Sequence, residues 1–187
     1  MNQRAIDFEN IFFETLTSQN QLPRDFDCGN QDLNDFLLED ALKHNIDGIA
    51  TTTLVVYDGK VIGYFALCAD AIRLDEQEIE EILTEYKMLP YKDYPAIKIA
   101  RLAIHRDYQG KGVGTYLLDV IVGKALSVKE EHKIAVKFLS VDAKNNHRSL
   151  KFYADNGFLV NEAEKRNKPG IPVSMRYLID NKVEPQV

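Results

Sequence analysis

A strand that runs into a glycine-rich turn and then into a helix constrains this chain more than any other feature of its sequence. Residues 97–104 are largely apolar, and from Val113 onward apolar side chains recur at helical spacing. Between these two segments Gly110, Gly112 and Gly114 occupy alternate positions. Such a turn exposes successive backbone N–H groups at the positive end of a helix dipole. The pattern therefore predicts a binding site for a diphosphate.

Two common phosphate-binding motifs fit this turn poorly. Lys111 is followed by Gly112, so the Ser or Thr hydroxyl that holds magnesium in a P-loop is missing, which disfavours ATP and GTP. The spacing Gly-x-Gly-x-Gly also differs from the dinucleotide fingerprint Gly-x-Gly-x-x-Gly, and an antiparallel hairpin precedes it. NAD or FAD stays open as a second interpretation.

The order of the other segments predicts an α/β (α+β) fold with a mixed sheet. Antiparallel strands come first, joined by a turn at Asp58 and Gly59, and strand, helix, strand, helix and strand follow. Because no repeat or low-complexity linker divides the chain, one domain is predicted for residues 1–187. The predicted helices cover residues 30–44, 75–87, 113 onward and 146–155, and the predicted strands cover 51–57, 61–69, 97–104, 134–141 and 173–179.

Charge and composition indicate where an anion would bind and what location and metal content to expect. Residues 1–95 contain seven Lys or Arg against nineteen Asp or Glu, whereas residues 96–187 contain sixteen against ten, so the second half is the better place for an anion. The longest apolar stretches are far shorter than a membrane helix of about 20 residues, and no secretory leader is visible. We expect a cytoplasmic protein without a membrane partner. Cys28 and Cys68 lack neighbours at metal-ligand spacing, so no metal is expected.

The glycine turn also resembles a known family motif. The run Gln109-Gly110-Lys111-Gly112-Val113-Gly114, with Arg101-Leu102-Ala103-Ile104 before it and Tyr116-Leu117-Leu118 after it, resembles the acetyl-CoA motif Gln/Arg-x-x-Gly-x-Gly/Ala of the GNAT acetyltransferase superfamily. The later segment Asn146-x-x-Ser149-x-x-Phe152-Tyr153-x-x-x-Gly157-Phe158 is similar to the superfamily motif whose helix runs along the pantetheine arm. The resemblance covers about residues 50–178 and implies that they form the core, with 1–49 as an N-terminal strand and helix region.

The resemblance implies acetyl-CoA as co-substrate and assigns it a set of contacts. The backbone of three strand residues would pair with the pantetheine amides: Leu102, Ala103 and Ile104. The diphosphate would be cradled by the backbone amides of the turn together with one hydroxyl: Gln109, Gly110, Lys111, Gly112, Val113, Gly114 and Thr115. Asn146 would contact the pantetheine arm and Ser149 would flank it. Tyr153 would act as general acid when the thiolate leaves.

The implied reaction is direct attack of a primary amine on the thioester, without a covalent enzyme intermediate. Many family members carry a carboxylate on the strand before the glycine turn, but residues 97–104 contain none. Since an α-amine with a pKa near 8 needs less help to deprotonate than an alkylamine near 10, this absence favours an α-amine acceptor. Asp142, Glu85 and a water chain stay open as the general base.

The N-terminal part resembles a narrower group. Phe26-Asp27-Cys28-Gly29-Asn30, the helix with Leu33 and Phe36, and Gly63-Tyr64-Phe65-Ala66-Leu67 resemble the opening of GNAT toxins that acetylate the α-amine of aminoacyl-tRNA and pair with a small antitoxin. Basic residues of the second half would form a tRNA surface: Lys144, Arg148, Lys151, Lys165, Arg166, Lys168 and Arg176. A small-molecule or peptide amine, a non-catalytic acetyl-CoA-binding module, and the oligomeric state, with a dimer as one outcome, stay open.

Overall fold

Seven strands and five α-helices make up the described part of the chain in this computed structural model, which covers residues 6–20, 22–82, 91–164 and 170–179. The strands are β1 (Ile11–Thr15), β2 (Thr51–Tyr57), β3 (Lys60–Arg73), β4 (Asp93–Ile104), β5 (Phe138–Ala143), β6 (Leu159–Val160) and β7 (Val173–Leu178). The α-helices are α1 (Gln31–Asp35), α2 (Ala41–Ile46), α3 (Glu76–Ile82), α4 (Val113–Glu130) and α5 (His147–Asp155).

The strands form one mixed sheet in the order β1-β2-β3-β4-β5-β7-β6. β1 with β2, β2 with β3, β5 with β7 and β6 with β7 are antiparallel, whereas β4 and β5 run parallel. The predicted mixed α/β fold is therefore confirmed. The chain divides into two compact units, the first containing residues 1–68 and 99–120 and the second residues 69–98 and 121–187. One domain over residues 1–187 stays a prediction.

The first unit is built around an apolar cluster that includes Phe26, Phe36, Leu37 and Tyr64. Tyr64 is fully buried, and its hydroxyl donates a hydrogen bond to the carbonyl oxygen of Leu33 at 2.7 Å, so its polar end is satisfied inside the core. The hairpin between β2 and β3 turns at Asp58 and Gly59, both with positive φ, as the sequence predicted.

The helix predicted over residues 30–44 is longer and less regular than expected. Asn30 caps it as predicted, because its side chain accepts a hydrogen bond from the N–H of Asp32 at 3.1 Å. Between α1 and α2, however, Phe36–Asp40 form a π-helical turn. A π-turn inserts one extra residue into the helical repeat, and spacing alone does not reveal it.

The second unit is built around Ile72, Leu74, Tyr94, Ala96 and Phe138. α3 begins with reciprocal capping, since Glu78 accepts from the N–H of Asp75 at 2.9 Å and Asp75 accepts from the N–H of Glu78 at 2.8 Å. The rest of the helix predicted over residues 75–87, including Glu85, lies outside the described residues.

Arg176 is buried, which corrects its predicted place on a basic surface. Its side chain is 6% exposed and its Nη2 lies 2.8 Å from Oε1 of Glu78, which is 7% exposed. A buried guanidinium needs such a partner because an unpaired charge is costly away from water. Arg176 is therefore a structural residue of the second unit and is unavailable to a polyanion.

The strand predicted over residues 134–141 begins instead at Phe138. The residues before it complete the end of α4, since the N–H of Glu131 donates to Ser127 and that of Ile134 donates to Val128. Lys133 has a φ of 56°, and Ile134 is 59% exposed. Within this segment Val136 is buried but Ile134 is not, so the apolar residues before Phe138 do not form a strand. Among the described residues, no helix is long and apolar enough to cross a membrane.

Candidate functional site

The glycine turn presents free backbone donors at the beginning of α4. After β4 the chain makes a 3-10 turn over Arg106–Tyr108 and then passes through Gly110 and Gly112, whose φ angles are +72° and +82°. In the described part of the chain, the backbone N–H groups of Gly110, Lys111 and Gly112 donate no hydrogen bond. The first turn of α4 adds N–H groups without an intrahelical acceptor. This arrangement suits an anionic group with several oxygens.

The Gln109 side chain holds this turn from within. Its Nε2 donates to the carbonyl oxygens of Cys28 and Ile104, both at 2.8 Å. The first contact reaches the loop before α1, and the second reaches the end of β4. The side-chain amide of Gln109 is therefore engaged within the protein, and its backbone N–H donates to the carbonyl oxygen of Arg106 at 3.3 Å.

Asp27 forms a second connection between the loop before α1 and the glycine turn. Its carboxylate is paired with the Arg106 guanidinium and accepts from the N–H of Gly29 at 2.7 Å and from Asn34 Nδ2 at 3.3 Å. Its carbonyl oxygen accepts from the N–H of Arg106 at 2.9 Å. The hydrogen bond from Gly29, followed by that from Arg106, lowers the pKa of Asp27 below its usual value.

The end of β4 lies against β3 at a position that requires glycine. A Cβ atom on Gly63 would come within 2.8 Å of the Ala103 carbonyl oxygen and 3.0 Å of Ile104 Cδ1. The N–H of His105 donates to the carbonyl oxygen of Ile62 at 2.8 Å. Ala103 is buried, while Leu102 and Ile104 are half-buried. Gly63 therefore allows β3 to support the strand residues proposed to face the pantetheine arm.

Lys111 within the turn and Thr115 just after it are further residues of the first unit at this site. The Lys111 ammonium lies 5.4 Å from the centre of the Tyr108 ring, within reach of a cation–π interaction. Thr115 is exposed in the first turn of α4. Lys111 and the nearby Arg106 give this turn a positive character that suits an anion.

In the second unit, α5 carries Asn146, Ser149 and Tyr153, the three later residues predicted from the sequence. Asn146 caps the helix, because its Oδ1 accepts from the N–H of Ser149 at 2.9 Å. The carbonyl oxygen of the Asn146 side chain is thus occupied by the helix. Its amide nitrogen donates no hydrogen bond to another described residue.

Tyr153 lies on the buried side of α5. Its ring packs against the rings of Phe152 and Phe158, at centroid distances of 5.1 and 5.3 Å, and the residue is 8% exposed. Burial raises the pKa of Tyr153 well above its usual value near 10. The phenol therefore keeps its proton at neutral pH, which a general acid requires.

A polar pocket of about 550 Å³ opens at the carboxyl end of β5. Lys98 Nζ lies 2.7 Å from Asp142 Oδ2 in its lining. Next to it along β5, the buried Ser140 donates to Asp70 Oδ2 at 2.6 Å. Of these residues the sequence singled out only Asp142. The contacts of Lys98, Asp70 and Ser140 join three strands, and no local spacing indicates them.

The surface of α5 carries exposed cations at Lys144, Arg148 and Lys151. Lys151 is paired with Asp155 at 2.9 Å. Lys165, Arg166 and Lys168 lie outside the described residues. Within the described ranges, no group of three or more His, Cys, Asp or Glu side chains is arranged to hold a metal ion.

Comparison with known proteins identifies a family model that matches most of the chain. The model of the acetyltransferase (GNAT) family matches residues 12–158. A tRNA-acetylating toxin of Mycobacterium tuberculosis is 27% identical over 105 residues, which are 56% of this chain and 60% of the toxin. The match thus spans less than two thirds of that relative.

Solved structures of similar shape cover nearly the whole chain. The toxin AtaT complexed with acetyl-methionyl-tRNAfMet is 25% identical, covers 90% of this chain and 94% of its own, and has a TM-score of 0.70. The AtaTR structure bound with AcCoA is 26% identical, covers 92% and 95%, and has a TM-score of 0.70. A further bacterial toxin has a TM-score of 0.73 at 21% identity, covering 90% of each chain, and shows likeness of fold.

Proposed function

This chain belongs to the acetyltransferase (GNAT) family, and we propose that it transfers the acetyl group of acetyl-CoA to the α-amine of an aminoacyl-tRNA. The observation that carries the acetyl-CoA part is the glycine turn, where the three successive N–H groups of residues 110–112 can receive a diphosphate. The tRNA part is supported by two relatives, since one is a tRNA-acetylating toxin and the other, AtaT, is complexed with acetyl-methionyl-tRNAfMet in its structure.

Each predicted site residue keeps its role as a proposal. The backbone of residues 102–104 would bind the pantetheine amides, and that of residues 109–114 with the Thr115 hydroxyl would bind the diphosphate. Asn146 and Ser149 would border the pantetheine arm. Tyr153 would protonate the departing sulfur, and its raised pKa means that the phenol holds its proton until that step. The amine would attack the thioester directly, with catalysis mainly by positioning.

The proposed acceptor also sets the expected partners and location. Exposed Lys144, Arg148 and Lys151 would contact tRNA phosphates. We propose a cytoplasmic location because charged tRNA is found there. An antitoxin partner is proposed because one of the structures similar to this chain is a mutant of the toxin AtaT bound to the C-terminus of the antitoxin AtaR.

The test is transfer of labelled acetyl from acetyl-CoA to bulk charged tRNA, to the same tRNA after deacylation, and to a panel of small amines and peptides. We expect label on charged tRNA alone. Label on small amines or peptides alone would remove tRNA as the acceptor. Tight acetyl-CoA binding without transfer to any amine would indicate a non-catalytic binding module.

A further inference from the structure

The polar pocket at the carboxyl end of β5 is lined by five charged side chains: Arg73, Asp93, Lys98, Asp142 and Glu164. We propose that this pocket receives the acceptor's α-ammonium group and that Asp142 takes a proton from it. The inference rests on the proposed function, because it concerns the acceptor of that reaction. It supplies the general base for which residues 97–104 of β4 offer no carboxylate.

The position of the pocket on β5 favours this role. The β4–β5 ladder ends at Lys98 and Ser140, and Asp142 follows two residues later on the same side of β5 as Ser140. Asp142 lies four residues before Asn146, which caps α5, and α5 carries Tyr153, the proposed general acid. The proposed base and the proposed acid thus belong to the same unit.

Asp142 and Asp93 are the two carboxylates of this pocket that keep one oxygen without a partner among the described residues. In Asp142, Oδ2 is held by Lys98 Nζ at 2.7 Å, while Oδ1 accepts no hydrogen bond from the described residues, and the side chain is 51% exposed. Both oxygens of Glu164 are occupied, one by the N–H of Arg73 at 3.1 Å and one by the Ser174 hydroxyl at 2.8 Å.

The other acidic groups nearby are placed less well. Asp93 is paired with Arg73 Nε at 3.2 Å and stands at the start of β4, before the β4–β5 ladder begins at Ala96. Asp70 accepts the hydroxyl proton of the buried Ser140 at 2.6 Å. The charges that face Asp142 are therefore Lys98 from β4, Arg73 and Asp93 across the pocket, and Glu164 beside β7.

The acceptor amine loses two protons during the proposed reaction. An α-ammonium group with a pKa near 8 is mostly charged at neutral pH, and it must lose one proton before its nitrogen can attack. Asp142 Oδ1 accepts that proton and later releases it to water. The nitrogen forms a bond to the thioester carbon, the carbon–sulfur bond breaks, and Tyr153 protonates the sulfur. The second amine proton leaves as the amide forms and returns to Tyr153 through water.

Lys98 is a positioning residue in this scheme. It stands on β4 within residues 97–104, which lack the carboxylate that many family members carry there, and its ammonium fixes Oδ2 of Asp142. The second oxygen is thereby left for the acceptor. In this ion pair, Lys98 on β4 is the cation and Asp142 on β5 is the proposed base.

The experiment compares Asp142→Asn with the wild-type chain, using bulk charged tRNA and acetyl-CoA between pH 6 and 9. We expect kcat/KM to fall by about 100-fold near pH 6.5, which is at the lower end of general-base effects. The loss should shrink as the pH approaches and passes 8, because the amine then becomes neutral unaided. Asp142→Glu should restore part of the activity, and the Kd for acetyl-CoA should not change.

The matched control is Asp40→Asn, which removes another exposed Lys–Asp pair, that of Asp40 with Lys43 at 3.3 Å on α2. It should keep the wild-type pH profile. A wild-type profile in Asp142→Asn, or a loss equal at all pH values together with weaker acetyl-CoA binding, would overturn the role of Asp142. A wild-type chain that acetylates no amine would instead refute the proposed function.

Discussion

Tyr153 is the residue proposed as the general acid. Burial among Phe152 and Phe158 raises the pKa of Tyr153. The phenol therefore stays protonated even at pH 10, where an exposed tyrosine is half ionised. If it is the general acid, Tyr153→Phe should lower kcat by about 100-fold or more. Steady-state kinetics measure this fall in kcat. Titration with acetyl-CoA measures its Kd, which should not change.

The raised pKa of Tyr153 also determines how kcat should depend on pH. Because the raised pKa keeps the acid form present, Tyr153 should cause no decline of kcat between pH 7 and 10. Phe152→Leu, next to Tyr153 on α5, removes an aromatic neighbour without removing a hydroxyl and is the matched control. Full activity of Tyr153→Phe would exclude the general-acid role.

Gly112 tests the diphosphate site at a single position. Its φ of +82° disfavours any side chain by about 1–2 kcal/mol, and an aspartate there would add negative charge beside the free N–H groups. Gly112→Asp should weaken acetyl-CoA binding at least tenfold, measured by calorimetric titration. Gly48→Asp introduces similar strain at a φ of +67° in an open position and should leave this affinity unchanged. Equal affinity in both variants would contradict the site.

At the scale of elements, the glycine turn depends on the loop before α1. Asp27 is held by Arg106, Gly29 and Asn34, and Gln109 reaches Cys28 from the other side. Asp27→Asn should raise KM for acetyl-CoA several-fold with little change in kcat. Asp25→Asn, an exposed carboxylate two residues earlier, is the control for this measurement.

The lowered pKa of Asp27 also fixes the direction of a pH effect. Its carboxylate stabilises the folded chain above the pKa of an unfolded aspartate near 4, and this contribution is lost as the pH falls through the lower folded value. Thermal unfolding of Asp27→Asn should therefore approach that of the wild type at acidic pH. A difference that persists unchanged at acidic pH would contradict the assigned contacts.

Local patterns predicted most of these elements, and non-local contacts explain what they missed. The hairpin turn at Asp58 and the capping of α1 by Asn30 depend on neighbouring residues, so the sequence indicates them. The π-helical turn at Phe36–Asp40 keeps the same apolar spacing as an α-helix and is invisible to it. The pairing of Lys98 with Asp142 arises only when β4 and β5 lie side by side.

At the scale of the whole molecule, the family assignment was predicted from two short motifs and is confirmed by the match over residues 12–158. The net charge of −6 alone would disfavour a polyanion as partner, but exposed cations gather around α5. Replacing Lys144 and Arg148 by Gln should weaken tRNA binding and reduce its salt dependence by up to about two phosphate contacts.

This prediction is checked by filter binding of charged tRNA at several salt concentrations. Lys43→Gln on α2 removes a cation that is paired with Asp40 and should leave the salt dependence unchanged. The Kd for acetyl-CoA should be equal in all three proteins. A salt dependence that the double variant shares with the wild type would place the tRNA surface elsewhere.

Acetyl transfer to the α-amine of an aminoacyl-tRNA is tested most directly by identifying the atom that receives the acetyl group. Bulk charged tRNA is incubated with the protein and acetyl-CoA, the aminoacyl ester is hydrolysed, and the released amino acids are analysed by mass spectrometry. We expect Nα-acetyl amino acids that depend on acetyl-CoA and form about 100-fold more slowly, or slower still, with Tyr153→Phe. Release of unmodified amino acids alone, while acetyl-CoA binds normally, would contradict this proposal.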